Sequence, residues 1–353
     1  MNININLNPI LCALLFTFFF VRCERNKELA QANENQENNF PISSQKLNGV
    51  NLVATSSKID SSNISPLSII HANSVAIVPF GFIRSGKATV EYNLDWQWHG
   101  EKIEGTIEQI KLAKKGGLSV LLKPHLWTHD GWVGDLNFET ESDWKKFETS
   151  YAQFIIDFAQ VADSLQVEHF CIGVELKQVV IDRPAYWESL IDSIRSRYSG
   201  NLTYAANWDN YSFIPFWSKL DFIGVEAYFP LSEEKTPSIQ SLVTNWKPIK
   251  KELETFSAKL NKPILFTEFG YRNIDFTGKQ PWNTEGNATR NDQGQGNAYS
   301  AIFETYWSES WFAGGYLWKW YPNHEEIGKK KNNRFTPQNK PAEQVISNFF
   351  EGR

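Results

Sequence analysis

Eight short apolar runs alternating with amphipathic stretches constrain what this chain can fold into more than any other feature of its sequence. They occupy residues 49–54, 74–79, 118–123, 169–174, 202–206, 222–225, 263–267 and 314–318. Between them, residues 103–115, 142–163, 185–197, 238–260 and 294–308 carry apolar residues at helical spacing, and a last such stretch, 341–350, closes the chain. Strands that alternate with helices pair in parallel, and eight such units predict a closed (β/α)8 barrel. No repeat at the level of sequence accompanies this structural one.

Two of the runs stop at a single carboxylate. His169-Phe170-Cys171-Ile172-Gly173-Val174 is followed by Glu175, and Pro263-Ile264-Leu265-Phe266-Thr267 by Glu268, with Gly270 read as a turn glycine just beyond. The C-terminal strand ends of a barrel share one mouth, so acids ending the fourth and seventh strands would face a common space. Retaining glycoside cleavage uses such a pair, one carboxylate as nucleophile and one carboxylic acid as proton donor, about 5 to 5.5 Å apart. A lone strand-end Glu often caps a helix or pairs with a buried cation instead, and it is the pairing of two that favours chemistry.

Other strand-end residues are candidates for binding substrate. Lys123 and His125 follow the third strand, Asn207 and Trp208 the fifth, and Glu226 and Tyr228 the sixth. A phenol at Tyr228 would orient the nucleophile, while Glu226 would hold sugar hydroxyls or pair with Lys123 or Arg272. Trp318 and Trp320 both lie at the last strand, and Trp318, nearer the strand, is expected to face the mouth. The polar segment 270–292, which carries Trp282, is long enough to form a rim or lid.

Charge and aromatic content point to the partner. Lys and Arg number 35 against 40 Asp and Glu, a formal charge of −5 that gives no attraction for nucleic acid or an anionic membrane. The chain has 14 Trp, and Trp96, Trp98, Trp127, Trp132 and Trp282 fall in loop-like segments. Flat apolar faces with a polar edge suit sugar rings, so a carbohydrate is the expected partner of these loop tryptophans, and the chain is expected to act as a monomer. Six His show no ligand spacing of the His-Glu-x-x-His kind, His125 and His129 are assigned to a loop, and no glycine-rich phosphate cradle follows a strand, so neither metal nor cofactor is expected.

Ahead of the barrel, residues 9–21 form an apolar run too short to span a bilayer, ending at Arg22-Cys23-Glu24. Residues 1–23 read as an export signal, with Cys23 placed where a bacterial lipoprotein carries its acylated cysteine and would attach to a membrane. The polar segment 24–46 reads as a tether, leaving 47–353 as the catalytic barrel. Cys12 would leave with the signal and Cys171 lies in a buried strand, so no disulfide framework is expected.

Over residues 47–349 the chain resembles glycoside hydrolase family 113. The resemblance rests, in order, on Gly-Val-Asn at 49–51, Val-Pro-Phe-Gly-Phe at 78–82, Leu-Lys-Pro-His at 122–125, Gly-Val-Glu-Leu at 173–176, Ile-Gly-Val-Glu-Ala-Tyr-Phe-Pro at 223–230, Thr-Glu-Phe-Gly-Tyr at 267–271 and Gly-Tyr-Leu-Trp-Lys-Trp at 315–320. It implies a (β/α)8 endo-β-1,4-mannanase acting on mannan or glucomannan, with Glu175 as acid/base and Glu268 as nucleophile. One departure is Val174, where many members of the wider clan carry an Asn that holds the sugar 2-hydroxyl; Asn207 is the candidate to replace it. A hydrolase of another β-linked glycan, or a non-catalytic glycan-binding lipoprotein on the same barrel, are the alternatives.

Overall fold

The computed structural model describes residues 45–284, 288–329 and 332–352. The expected export signal, Cys23 and nearly all of the expected tether lie outside the described residues. Among those described, no helix is long and apolar enough to cross a membrane.

All eight apolar runs form strands, with boundaries displaced by at most two residues: β1 Leu47–Leu52, β2 Ser74–Ile77, β3 Ser119–Leu122, β4 His169–Val174, β5 Asn201–Asn207, β6 Ile223–Glu226, β7 Ile264–Phe269 and β8 Phe312–Trp320. They pair in parallel and in sequence order, and β8 closes the barrel against β1. The interior is packed by Ala76, Leu121, Cys171, Val174, Ala205, Leu265, Ala313 and Tyr316, small residues leaving room for one tyrosine whose hydroxyl lies 2.8 Å from Ser74 Oγ. This is a filled core rather than a channel, so substrate can be met only at its ends. Cys171 belongs to that core, where burial pushes its thiol up to about 12 and makes it inert.

The predicted helices form at Ile103–Lys115, Glu141–Ser164, Pro184–Arg195, Ile239–Leu260, Asp292–Tyr306 and Pro341–Glu351. Glu141–Ser164 shows why: Trp144, Phe147, Tyr151, Phe154, Ile155 and Phe158 recur at helical spacing on its buried face, and the Thr140 hydroxyl accepts from the Asp143 amide at its start. After β5 only short helical turns appear, at Tyr211–Phe213 and Trp217–Lys219. Bulky side chains fill that layer instead, with Phe216 stacked on Trp187 at 5.3 Å and Trp217 buried against Tyr204.

A sheet at the rim was not expected. Phe80–Ile83 and His125–Thr128 form a two-stranded parallel sheet at the rim, so His125 starts a strand rather than lying in a loop. Pro79 and Pro124 lack an amide hydrogen and interrupt the ladder between β2 and β3, which then resumes beyond them when His125 donates to the Pro79 carbonyl at 2.8 Å.

Candidate active site

At the C-terminal ends of the strands lies a cavity of about 750 Å³, walled by residues from β4 to β8 and from the rim sheet. Glu175, Glu268, His125, Asn207, Trp208, Glu226, Tyr228, Trp282 and Trp318 all line it. Lys123 is fully buried beneath, touching the acids from below.

Glu268 is buried, and both its oxygens are occupied. Lys123 Nζ donates to Oε1 at 2.6 Å and Tyr228 Oη to Oε2 at 2.7 Å, which fixes the direction of the carboxylate. Burial alone would neutralise the Lys123 ammonium, but Glu268 and Glu226 outweigh it and raise its pKa. Burial and the charge of Glu268 raise that of Tyr228 well above the ordinary phenol range, so the phenol remains a donor. Asn51, from the first strand, reaches across the barrel end to donate to the carbonyls of Thr267 and Tyr316 at 3.2 and 3.1 Å, tying the tips of β7 and β8 together. Gly270 is needed for close approach rather than for a turn: a Cβ there would lie 2.4 Å from the Trp318 carbonyl oxygen.

Glu175 stands just past β4 with φ of 53°, a left-handed backbone that costs a non-glycine residue of order 1–3 kcal/mol and tends to persist at functional sites. Its amide is held by the Ala205 carbonyl at 2.8 Å. Burial pushes its carboxyl up to about 7, with the charge of Glu268 adding to the rise. Hydrogen bonds from Trp132 and with Glu226 act the other way. Trp132 Nε1 donates to Glu175 Oε2 at 2.8 Å, and the indole lies over Gly134, where a Cβ would come within 2.3 Å of the ring. The sequence marked Trp132 only as a loop tryptophan suited to sugars; nothing in the spacing linked it to Glu175.

Glu226 faces Glu268 in register across β6 and β7 and lies 3.5 Å from Lys123 Nζ. Burial and then the charge of Glu268 raise its pKa well above the carboxylate range, and it shares hydrogen bonds with Glu175 and Glu268. Of the two partners weighed for Glu226, Lys123 is the one in contact; Arg272 donates to the carbonyls of Asn333 and Asn283. His125, Glu226 and Glu268 converge closely enough to hold a cation, and Lys123 already places a positive charge at that point. His125 is kept neutral by burial and by Lys123 and Lys319, and its Nε2, 3.6 Å from Glu268, has no hydrogen-bond partner among the described residues.

The aromatic walls sort as follows. Trp318 lies parallel to the His125 ring at 5.9 Å and faces the cavity, whereas Trp320 is fully buried. Trp208 and Trp282 stack at 5.3 Å on the opposite wall, so the segment 270–292 does contribute a rim. Asn207 donates to Asp209 at 3.2 Å and sits in register with Glu226. Phe335 also lines the cavity, against Tyr228; it comes from a segment beyond β8 that carried no sequence signal.

A carboxylic acid near neutrality therefore stands beside a carboxylate gripped by two donors, the division of labour that acid and nucleophile require. Because the Trp132 bond favours the charged form of Glu175, Trp132→Phe should move the basic limb of the kcat/KM profile to higher pH by up to about one unit. A limb that stays at its wild-type position would show that the indole does not tune the acid.

Residues 61–340 match the profile of glycoside hydrolase family 113. Among solved structures, a family 113 β-mannanase from Alicyclobacillus acidocaldarius is similar at 24% identity and a TM-score of 0.75, covering 87% of this chain and 97% of that one. A second family 113 β-1,4-mannanase, at 23% identity, gives a TM-score of 0.74 over 88% of this chain and all of that one. A β-glucuronidase from Ruminococcus gnavus is more distant, 14% identical with a TM-score of 0.58, and the match spans 87% of this chain but half of the other. These likenesses share the barrel. No curated protein sequence matches the chain.

Proposed function

Because the chain belongs to glycoside hydrolase family 113, we propose that it cleaves β-1,4-mannosidic linkages in mannan or glucomannan by a retaining double displacement. The observation that carries this reading is the paired state of two strand-end acids: Glu268 gripped by Lys123 and Tyr228, and Glu175 with its carboxyl raised to about 7. Glu268 attacks the anomeric carbon while Glu175 gives its proton to the departing glycosidic oxygen. In the second step Glu175, now a carboxylate, takes a proton from the water that releases the sugar from Glu268. The His125 ring would pack against the sugar, and Asn207 offers its amide where Val174 has none. In keeping with an exported polysaccharide hydrolase, residues 1–23 would direct export and Cys23 would serve as an anchor at a bacterial cell envelope.

The test is release of reducing ends from mannan, glucomannan, cellulose and xylan, with the anomer of the first product read by proton NMR. Cleavage of the mannose-containing polymers with a β-anomer product is expected. Cleavage confined to cellulose or xylan would replace the substrate, and an α-anomer would replace the mechanism.

Trp318 supplies the floor under the reacting ring in this reading. An indole face packs better on the flattened, positively charged ring of the transition state than on the relaxed sugar. Trp318→Ala should therefore lower kcat as well as raise KM, reducing kcat/KM roughly tenfold or more, as loss of an aromatic contact predicts. A fall in melting temperature with unchanged kinetics of the folded fraction would assign Trp318 to packing alone.

A further inference from the structure

Resting on the glycan-hydrolase reading of the cleft, we propose that the aromatic face of the rim sheet is a second sugar-binding surface. It would hold units of a β-linked polysaccharide beyond those at the catalytic acids. The sheet has two unlike faces. Gly81, Ile83, Leu126 and Thr128 are buried, while their alternating neighbours Phe80, Phe82, His125 and Trp127 are at least partly open to solvent. Register pairs Phe80 with His125 and Phe82 with Trp127, so the open face carries only rings.

These rings form an unbroken path that starts at the acids. Trp318 stacks on His125 at 5.9 Å, His125 meets Phe80 at 5.4 Å, and Phe80 meets Phe82 at 6.2 Å. Phe82 then lies between Trp127 at 6.0 Å and Trp96 at 4.9 Å. The spacings run from 4.9 to 6.2 Å and, apart from the parallel Trp318 and His125, the rings tilt against one another by 35 to 67°, so a polymer leaving the cleft meets an aromatic side chain at each step rather than one flat floor. Exposure at the far end is high, 44% for Trp127 and 54% for Trp96. A contiguous patch of exposed indoles marks an interaction surface rather than unfinished packing.

Continuity selects the occupant. Phe80 and Trp127 line both this face and the catalytic cavity, so whatever chain fills the cavity passes over them. The protein's net charge of −5 makes an anionic membrane a poor alternative.

The experiment compares the full chain with its Trp96→Ala variant, at a residue outside the catalytic cavity, on two substrates, soluble glucomannan and an activated aryl β-mannoside too short to leave the cleft. The variant should lose about tenfold in kcat/KM on the polymer, mainly through KM, and several-fold less on the short substrate. Equal losses on both, or none on the polymer, overturn the proposal. Trp96→Leu carries the same comparison if Trp96→Ala does not fold. If the wild type cleaves neither substrate, the cleft reading has failed. Electrophoresis through gels containing mannan, glucomannan, cellulose derivatives or xylan then decides the surface alone. Retardation lost in the variant supports it, and equal mobility overturns it.

Discussion

Replacing Glu268 with alanine should reduce turnover by at least the roughly 10⁴-fold that marks the upper range for losing a general acid or base, because in the proposed mechanism Glu268 forms the glycosyl-enzyme bond. The fold should survive with a measurable penalty. Lys123 would lose its 2.6 Å partner while fully buried, and breaking a buried pair outright costs about 3–5 kcal/mol. Glu226 limits that loss, because it lies 3.5 Å from the same ammonium and, although burial still raises its pKa, the further rise that the charge of Glu268 causes would be gone. Removing that charge should also lower the pKa of Glu175, since Glu268 helps to raise it. Azide added to Glu268→Ala should restore part of the turnover and yield a product of inverted configuration, the anion entering where the carboxylate stood. Rescue with retained configuration would assign Glu268 to proton transfer instead.

For Glu175→Ala the expected loss is about 10²–10⁴-fold on polysaccharide, the usual contribution of a positioned acid–base group. Aryl glycosides with good leaving groups should be largely spared in the first step, because they depart with little protonation. Hydrolysis of the intermediate then limits the rate, and an adduct on Glu268 should accumulate and appear in the intact mass. The pH profile gives an independent check. Glu175 must carry its proton to act as acid, so wild-type kcat/KM should fall as pH rises through about 7, and that limb should vanish in the variant. Equal losses on activated and natural substrates, with no adduct, would remove the acid–base assignment.

The barrel was legible because strands covered on both faces need near-continuous apolar runs, and the runs ending at Val174 and before Glu268 have that form. The convergence of Glu175 and Glu268 followed from topology, since parallel strands deliver their C-terminal ends to one mouth. Trp318 and Trp320 are two residues apart and by the period of a strand would share a face, so their separation, Trp318 to the cavity and Trp320 buried, was not readable from the sequence. Local chain chemistry also carries part of the surprise at the rim, because Pro79 and Pro124 mark where two barrel strands break and a second ladder can start. That the segments beyond them stay paired was not readable, since pairing depends on what their buried faces meet.

By itself, then, the sequence determined the alternation of elements, the strand count and which acids stand at strand tips, because each depends on neighbours a few residues away. Tertiary structure alone decided how those acids behave. The Trp132 indole reaches Glu175 across 43 positions only because the loop after the rim sheet folds over the mouth. Lys123, Glu226 and Glu268 meet from three strands, and which of them holds a proton depends on the combined burial and charge of all three. Burial raises the carboxyl of Glu175 by excluding water from every side at once, a property of the assembled cavity that no run of neighbouring residues contains.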